Sequence, residues 1–360
     1  MTDDFPGGFL AVGKSHHIPF QFYDMPFKNN FRRNLCLGKT FIFHFITSFH
    51  KPNSIKPQGG NHVKHDFLPS YDQMLRTIAK MCETYPQLHL HSIGKSVLKR
   101  DIYALSVGNV EKEAAIFVGG THGQEWLTVS LLLLFLDDLL SSVQSGGPLE
   151  EIDFSLALQK RGLVIVPALN PDGVEIALNG PESARWRKNC VKKIMNKSDL
   201  TWQANARGVD LNHNFDAGFP ILQKLEREAG FCSPSPRRYG GKRALSEPES
   251  RAIVKYVRKH NISRLYAFHS QGEEIFYEYD SIPVPLGEEI AQTLSKLSGY
   301  ELVENAGLYS HGGLKDWFIK EFRRPGFTIE IGKGENPLPL SDLDPIYRKI
   351  RRMMAAAVIL

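Results

Sequence analysis

Two residues in the first half of the chain have the types and spacing of metal ligands. His122 and Glu125 follow the apolar segment 114–118 and a pair of glycines, and they precede a leucine-rich run. The β-branched and aromatic residues of the segment predict a buried strand, and open α/β folds bind ligands where such strands end. Side chains three residues apart on one turn can point the same way, and imidazole nitrogen and carboxylate oxygen both bind zinc. The turn therefore predicts two ligands of a zinc site.

Two further predicted strands carry polar side chains that a purely apolar core would not need. His269 closes the run 262–268, and Glu330 lies within the run 327–331. Taken singly, such a histidine can be a hydrogen-bonded structural residue, and Glu330 can face solvent by strand alternation. A catalytic zinc, however, binds three protein ligands and leaves one position open. With the two residues above, His269 would complete that set, and Glu330 would act as a base.

Composition and charge describe an ordinary globular chain and argue against a nucleic-acid-binding protein. The chain has 360 residues, of which 42% are hydrophobic and 23% charged, and its formal net charge is +5. Its basic residues are scattered, whereas nucleic-acid binders concentrate them on one face. The cysteines at positions 36, 82, 190 and 232 form no Cys-x-x-Cys pair, which argues against a metal–thiolate cluster. They fit a reducing compartment, and a bond between Cys190 and Cys232 stays open.

Residues 1–63 show no clear pattern and are predicted to be a poorly ordered N-terminal extension. They contain one apolar island at 41–49, which is left open between a strand, an interfacial anchor and no role. The chain starts without the apolar core of a secretory signal, which predicts a cytoplasmic protein. The apolar run 127–136 is too short to cross a bilayer and predicts a buried helix, so no membrane insertion is expected.

From residue 64 to the end, helical and strand patterns alternate, which predicts one α/β domain. Helices are predicted at 71–85, from the His122 turn to about 142, and at 246–260, 286–297, 313–322 and 344–359. Strands are predicted at 88–93, 101–107, 114–118, 162–168, 262–268, 275–279 and 327–331. Residues 170–173 predict a turn, and residues 174–245 predict mostly loop. Ser246 is predicted to cap the next helix, with Glu249 completing a capping box.

The polar motifs from residue 122 onwards occur in an order that is specific to one known family. They are His122-Gly-Gln-Glu125, Asn170-Pro-Asp-Gly173, Trp186-Arg-Lys188, Gly208-Val-Asp-Leu-Asn212, Asp216-Ala-Gly-Phe219, Ser246-Glu-Pro-Glu249, His269-Ser270, Gly312-Gly313 with Asp316-Trp317, and Phe327-Thr-Ile-Glu330. From about residue 65 to the end, the chain resembles the zinc carboxypeptidase family of the carboxypeptidase A type. The resemblance implies a single domain with a twisted, mixed, eight-stranded sheet between helices.

The resemblance also implies one zinc ion per chain and roles for individual residues. The metal ligands would be His122, Glu125 and His269. Glu330 would be the general base, and Arg187 would be the cation that stabilises the carbonyl oxygen. A permanently charged guanidinium suits the negative charge that develops on that oxygen. Tyr309 would be the mobile tyrosine that covers the substrate, although its spacing to the next Gly-Gly pair is one residue shorter than in the digestive enzymes.

Three segments depart from the digestive carboxypeptidases. Those enzymes hold the terminal carboxylate of the substrate with an Asn-Arg pair, whereas this chain has Asn212 and His213. A histidine cannot grip a carboxylate bidentately and is only partly charged at neutral pH. The segment Gln271-Gly-Glu-Glu274 replaces an aromatic residue, and Lys315 stands at the base of the specificity pocket. This combination is similar to the bacterial γ-D-glutamyl-diamino-acid endopeptidase branch, which cuts between γ-D-glutamate and meso-diaminopimelate in cell-wall peptides.

The pocket residues agree with that branch, because diaminopimelate carries two amines and two carboxyl groups. Lys315 would pair with a carboxylate and Glu273 or Glu274 with an ammonium, although either glutamate alone can also be an exposed loop residue. The first hypothesis is a monomeric zinc peptidase whose substrates are cell-wall muropeptides. The second is a conventional metallocarboxypeptidase for acidic or polar C-terminal residues, which Asn212 and Lys315 permit and His213 opposes. The third is an inactive peptide-binding homologue.

Overall fold

A mixed sheet of eight strands carries the predicted site residues. This computed structural model describes residues 67–196, 200–303 and 311–360. The strands are β1 (His89–Lys95), β2 (Asp101–Gly108), β3 (Ala114–Val118), β4 (Gly162–Val166), β5 (Ile262–His269), β6 (Glu274–Phe276), β7 (Glu301–Leu302) and β8 (Gly326–Glu330). Their order across the sheet is β1-β2-β4-β3-β5-β8-β6-β7. The predicted α/β fold with a mixed eight-stranded sheet is confirmed, and residues 1–63 with their apolar island lie outside the described residues.

Four adjacent strands at the centre of the sheet run parallel. They are β4, β3, β5 and β8, whereas β1 with β2, β2 with β4, and β6 with β8 pair antiparallel. Every residue of β3 and β4 is buried, as expected of parallel strands covered on both faces. The carboxyl ends of these four strands therefore lie along one edge of the sheet, where the fold class places its ligand sites.

Helices cover both faces of this sheet. They are α1 (Tyr71–Thr84), α2 (Leu127–Ser145), α3 (Phe154–Lys160), α4 (Pro171–Asn179), α5 (Lys188–Met195), α6 (Phe219–Glu228), α7 (Pro248–Lys259), α8 (Gly287–Ser298), α9 (Leu314–Phe322) and α10 (Leu343–Ile359). On one face, Ile116 and Val118 of β3 share a buried cluster with Val257 of α7 and Trp317 of α9. On the other face, α10 contacts both β3 and α2. The apolar core thus encloses the strands whose ends carry the site.

Helix α2 is longer than its apolar run predicts. With the short turn before it, the segment Gly123–Ser145 has 23 residues, and the mean hydropathy of its most apolar 18-residue window is 1.7, enough by length and composition alone to cross a membrane. Within the protein, however, 72% of its most apolar window is buried. Phe135 stacks on Phe117 of β3 with their ring centroids 5.8 Å apart. Packing in the core accounts for the apolar composition of α2, so the predicted buried helix is confirmed. The prediction that this segment is too short to cross a bilayer is wrong.

Part of the region predicted as turn and loop is helical. Asn170 accepts a hydrogen bond from the backbone N–H of Gly173 at 2.8 Å, and Pro171 occupies the first position of α4. Asparagine and proline favour helix starts as well as turns, so the turn predicted at 170–173 is wrong. Helices α5 and α6 lie in the same predicted loop, and α6 follows Gly218, whose φ of 62° is left-handed.

The start of α7 also differs from the prediction. The helix begins at Pro248 with Glu247 in the capping position, and no side chain caps it. The Ser246 hydroxyl instead accepts the side-chain amide of Asn214 at 2.9 Å. The capping box predicted between Ser246 and Glu249 is therefore wrong, because Ser246 lies one residue too far from the first helical turn.

Glu249 is completely buried and binds two other segments instead. Its carboxylate accepts hydrogen bonds from the backbone N–H of Val97 at 2.9 Å and from the side-chain amide of Asn205 at 3.2 Å. Burial, reinforced by the nearby Asp172 carboxylate, raises the pKa of Glu249 to about 8. The folded protein therefore holds a proton on Glu249 at neutral pH that an unfolded chain releases.

We expect Glu249→Gln to change the dependence of stability on pH. Because the pKa of Glu249 is higher in the folded state, its protonation stabilises the fold fully below about pH 4.5, and this contribution is lost as the pH rises through about 8. The free energy of unfolding of the wild type should fall by roughly 4 kcal/mol more than that of the variant over this range. Urea unfolding at pH 5 and pH 9 measures the difference.

Glu289→Gln, which changes an exposed residue of α8, is the matched control and should retain the wild-type dependence on pH. Parallel curves for the wild type and Glu249→Gln would show that the buried carboxyl group does not titrate as stated.

Candidate metal centre and active site

Three buried side chains converge at the carboxyl ends of β3 and β5. After β3 the chain makes a short turn, in which His122 precedes the 3-10 helix Gly123–Glu125. A side chain at Gly123 is excluded, because a Cβ there would lie 2.3 Å from the carbonyl oxygen of Gly173. His269 is the last residue of the neighbouring strand β5. One ligand atom from each of His122, Glu125 and His269 lies within 4.8 Å of the others.

The geometry of these three residues fits a zinc ion. The Glu125 carboxylate lies 2.8 Å from Nδ1 of His122 and 2.9 Å from Nδ1 of His269, and the two Nδ1 atoms are 3.2 Å apart. A tetrahedron with zinc–nitrogen bonds near 2.0–2.1 Å has edges of about 3.3 Å. The outer Nε2 atom of His269 is buried and has no hydrogen-bond partner, whereas Nε2 of His122 is buried beside the Asp210 carboxylate. Two imidazoles and a carboxylate at this spacing are the donor set of a catalytic zinc site.

The charges around the centre also favour a dication. Burial alone would lower the pKa of His122, but the carboxylates of Glu125 and Asp210 outweigh it and hold that pKa well above its ordinary value. Burial alone would raise the pKa of Glu125, but the two histidines lower it to about 2. Asp210 lies behind the site, with Oδ1 at 3.2 Å from Nε2 of His122. The two carboxylates therefore stay ionised beside the rings and attract positive charge.

Glu330 and Glu274 lie beside the metal ligands in the sheet. Glu330 ends β8 and is paired in register with His269 on one side and with Glu274 of β6 on the other. Residues directly opposite each other on neighbouring strands project to the same face. Burial, and after it the Glu125 carboxylate, raises the pKa of Glu330 well above its ordinary value. A carboxylate with a raised pKa is a stronger base than an ordinary glutamate, which suits a group that takes a proton from water.

One cavity of about 490 Å³ joins this centre to most of the predicted substrate residues. Two of the metal ligands, His122 and Glu125, line it together with Glu330, and so do Asn212, His213, Gln271, Glu274 and Lys315. Of the predicted residues outside it, Glu273 instead makes ion pairs with Lys349 at 2.6 Å and Lys333 at 3.3 Å. Glu273 precedes β6 and has a left-handed φ of 60°, so of the two glutamates only Glu274 lines the cavity.

Arg187 is a second predicted residue that does not line this cavity. Its Nε donates a hydrogen bond to the carbonyl oxygen of Ala206 at 2.9 Å, and its neighbour Trp186 is 62% exposed. Its predicted role at the carbonyl oxygen of a substrate stays a prediction. Tyr309 falls within residues 304–310, outside the described residues, so its predicted role stays a prediction.

A buried carboxylate contacts His213, a residue that the sequence analysis expects to be only partly charged at neutral pH. Nδ1 of His213 lies 2.9 Å from Oε1 of Glu226, which also accepts the backbone N–H of Gly240 at 2.9 Å. Burial alone would lower the pKa of His213, but Asp210 and Glu226 outweigh it and raise the pKa. Since Nδ1 faces the Glu226 carboxylate and donates to it, Nε2 is the atom left for a ligand, and it donates when the ring is protonated.

Lys315 and Asn212 also retain hydrogen-bond donors for a ligand. The Lys315 ammonium contacts Oδ1 of Asp316 at 2.6 Å and the carbonyl oxygen of Glu278 at 2.5 Å. An ammonium has three N–H groups, so one remains. The side-chain oxygen of Asn212 accepts the backbone N–H of Leu314 at 3.1 Å, which leaves its amino group as a donor. The base of the cavity therefore offers N–H groups suited to a carboxylate.

Several cavity residues have no role in the sequence-based prediction. They include Gln124, Gln203, Arg237 and Arg238. Gln124 lies inside the metal-binding motif, so its position was a usable signal. The two arginines lie in the segment predicted as loop with embedded charges, and nothing in their spacing marks them.

Comparisons with known proteins agree with this geometry. The sequence model of the family described as zinc carboxypeptidase matches residues 74–352. Gamma-D-glutamyl-L-diamino acid endopeptidase 1 of Lysinibacillus sphaericus is 35% identical over 292 residues, which are 81% of this chain and 72% of that protein. Carboxypeptidase A1 of Bos taurus is 27% identical over 294 residues, or 76% of this chain and 64% of that protein.

A solved structure shows the same fold. The crystal structure of thrombin activatable fibrinolysis inhibitor superposes with a TM-score of 0.65 at 21% identity, covering 89% of this chain and 80% of that one. The fold and the donor set define a zinc-dependent metallopeptidase. The chain belongs to the zinc carboxypeptidase family, and it is an enzyme that uses zinc. The hypothesis of an inactive binding homologue is set aside, because the cavity holds an intact ligand set.

We expect His269→Ala to abolish tight zinc binding. The substitution removes one of three donors, so zinc affinity should fall by more than the roughly 10- to 100-fold typical of changes outside a ligand set. Zinc content by atomic absorption after dialysis, together with the zinc-induced rise in melting temperature, measures the loss. His260→Ala is the control, because Nδ1 of His260 bonds the carbonyl oxygen of Tyr256 at 2.8 Å, in α7.

Glu330→Gln separates metal binding from chemistry in the same experiment. This variant should keep wild-type zinc content and lose about 100- to 10,000-fold in turnover. Loss of zinc from Glu330→Gln, or full zinc content in His269→Ala, would contradict the ligand set.

Proposed function

We propose that this zinc metallopeptidase hydrolyses the amide bond between γ-D-glutamate and meso-diaminopimelate in cell-wall peptides. The observation that carries the proposal is the cavity beside the zinc ligands. Its lining combines Asn212 and His213, which stand in place of an Asn-Arg pair, with Lys315 and Glu274. The relative from Lysinibacillus sphaericus, which is named a gamma-D-glutamyl-L-diamino acid endopeptidase, supports it. A cytoplasmic location and a monomeric state stay predictions.

Residues of the chain would carry the proton transfers. Zinc, when bound, supplies a Lewis acid that makes water acidic near neutral pH and polarises the scissile carbonyl. Glu330 would take a proton from the attacking water and deliver it to the departing amine. The register pairing of Glu330 with His269 places its carboxyl group next to the ligand set. Its raised pKa suits the second step, in which it must act as an acid.

The leaving group would be held through its charges. Diaminopimelate released from the amide bond has a carboxylate beside the new amine, and a second carboxylate and ammonium at its far end. The amino group of Asn212 and Nε2 of His213 would hold the near carboxylate. The remaining N–H of Lys315 would reach the far carboxylate, and Glu274 would pair with the far ammonium. Pairing of opposite charges at both ends favours this diamino acid over a plain apolar residue.

A conventional carboxypeptidase is the second candidate, and one observation favours it. Because Asp210 and Glu226 raise the pKa of His213, its ring carries more positive charge at neutral pH than an ordinary histidine. A protonated His213 beside Asn212 can pair with the terminal carboxylate of an α-linked peptide, although through one N–H only.

We expect the purified protein to release diaminopimelate from L-Ala-γ-D-Glu-meso-diaminopimelate. The comparison substrate is an α-linked peptide with an acidic C-terminal residue, and each reaction is run with and without a chelator. Amino-acid analysis should show diaminopimelate from the first substrate, little release from the second, and none from either after zinc removal. Trimming of the α-linked peptide alone would establish the second candidate and refute the first.

We expect Lys315→Met to remove the preference for diaminopimelate over lysine at the cleaved position. L-Lysine lacks the far carboxylate, so kcat/KM on the two γ-D-glutamyl substrates should differ in the wild type by roughly 10-fold or more. In Lys315→Met, the two values should become similar. Their ratio within one preparation is insensitive to the folded fraction, which matters because the substitution leaves Asp316 without its ion pair. An unchanged ratio would show that Lys315 does not read the carboxylate.

A further inference from the structure

The backbone of His213 is tightly enclosed at the edge of the cavity. His213 ends the short 3-10 helix Leu211–His213, in which Asn212 precedes it. A Cβ added at Gly240 would lie 2.4 Å from the carbonyl oxygen of His213, and one added at Gly312 would lie 3.0 Å from the same atom. Because the backbone has so little room to move, the direction of the imidazole ring depends on what its two nitrogens contact.

Glu226 contacts one of these nitrogens from an unexpected position in α6. The buried residues of this helix are Phe219, Leu222 and Glu226, a spacing typical of the apolar face of a helix. A carboxylate on such a face is costly unless it is hydrogen-bonded. Oε1 of Glu226 accepts both Nδ1–H of His213 and the backbone N–H of Gly240, each at 2.9 Å. The helix thus places a carboxylate behind a cavity residue where an apolar side chain would be expected.

The Glu226 carboxylate affects the charge of the ring as well as its direction. Burial and the nearby His122 lower the pKa of His213, but Asp210 and Glu226 outweigh them and raise it. Other titratable or charged groups near this pair are Tyr239, which is neutral, and the cavity cations Lys315, Arg237 and Arg238. The ring therefore keeps its second proton to a higher pH than an exposed histidine does.

The second proton decides whether His213 attracts or repels an anion. In the protonated ring, Nδ1 donates to Glu226 and Nε2 is a charged donor for a ligand. In the neutral ring, Nδ1 keeps its proton for Glu226, so Nε2 turns a lone pair towards the ligand instead. Both candidate substrates have a carboxylate next to the amide nitrogen of the bond that is cut, and a charged donor binds a carboxylate more strongly than a neutral one.

We propose that Glu226 is a positioning residue that makes His213 a proton-dependent anchor for the carboxylate of the leaving amino acid. The protonated ring donates from Nε2 to that carboxylate, and it releases the carboxylate when the proton leaves for water. No covalent bond of the substrate changes in this step. The inference rests on the proposed function for its first assay substrate, and it applies unchanged to the α-linked peptide of the second candidate.

The test compares L-Ala-γ-D-Glu-meso-diaminopimelate with an analogue in which the carboxylate beside the cleaved amide is a primary amide. On the free carboxylate, Glu226→Gln should raise KM by roughly 10-fold near neutral pH and leave kcat nearly unchanged. On the amide analogue, the variant and the wild type should have similar KM values. Glutamine keeps an Oε1 for both hydrogen bonds of Glu226, so the substitution removes the charge alone. Glu228→Gln, at an exposed position of the same helix, is the matched control.

The pH profile of KM separates this role from a purely structural one. With the free carboxylate, KM of the wild type should stay low up to a higher pH than KM of Glu226→Gln, because the ring of the variant loses its proton at lower pH. The amide analogue should show no such difference. In a His213→Gln background, which has no titrating ring, Glu226→Gln should cause no further rise in KM.

An equal rise in KM on both substrates, coincident pH profiles of wild type and Glu226→Gln, or additive effects of the two substitutions overturns the inference. If the wild type cleaves only the α-linked peptide, the same comparison is made with that peptide and its C-terminal amide. If it cleaves neither peptide, the proposed function fails, and calorimetric binding of meso-diaminopimelate to the zinc-loaded proteins decides the inference. Weaker binding to Glu226→Gln than to Glu228→Gln supports it, and equal binding or none overturns it.

Discussion

The Glu125 carboxylate links the two histidine ligands of the metal centre, which lie at the ends of two different strands. It contacts Nδ1 of His122 within its own turn and Nδ1 of His269 at the end of the neighbouring strand. Two imidazole nitrogens that point their lone pairs at each other across 3.2 Å repel each other unless a proton or a metal ion lies between them. Because the sheet register sets Glu330 directly beside His269, the same arrangement that assembles the ligands also positions the base.

Buried charges in the cavity are balanced locally, and this balance limits which of them can act on a substrate. Lys315 and His213 each contact a carboxylate, which offsets their positive charge. They can therefore bind a substrate mainly through the N–H groups that are not yet hydrogen-bonded. Glu249 shows the opposite solution, since a buried carboxyl group without a cation takes up a proton instead. Arg237 and Arg238 also line the cavity, and their guanidinium groups carry a permanent positive charge.

The metal ligands, the sheet and most helices were predictable. The periodicity of apolar residues predicts the strands and helices, and the order of the motifs predicts the metal ligands. Contacts between distant segments were not. Glu226 supports His213 from α6, a short helix that the sequence pattern did not reveal, since it follows a left-handed glycine and carries proline in its first turn. The Trp186-Arg-Lys188 motif predicts a role for Arg187 from residue type and order. A motif does not determine the direction in which a side chain points, so that role stays a prediction. Asn170 and Pro171 fit a turn and a helix start equally well.

The centre of the sheet is more stable than its edge. The metal ligands lie at the centre, whereas part of the substrate cavity lies at the edge. His122 and Glu125 follow β3, and His269 ends β5, both of which are flanked by strands and buried. Glu274 belongs to β6, which has three residues, and β6 is followed at the edge by β7 with two. Short edge strands open at a lower free energy than central ones. A molecule opened at this edge would keep its metal while losing part of its substrate cavity, so full zinc occupancy is not a measure of the active fraction.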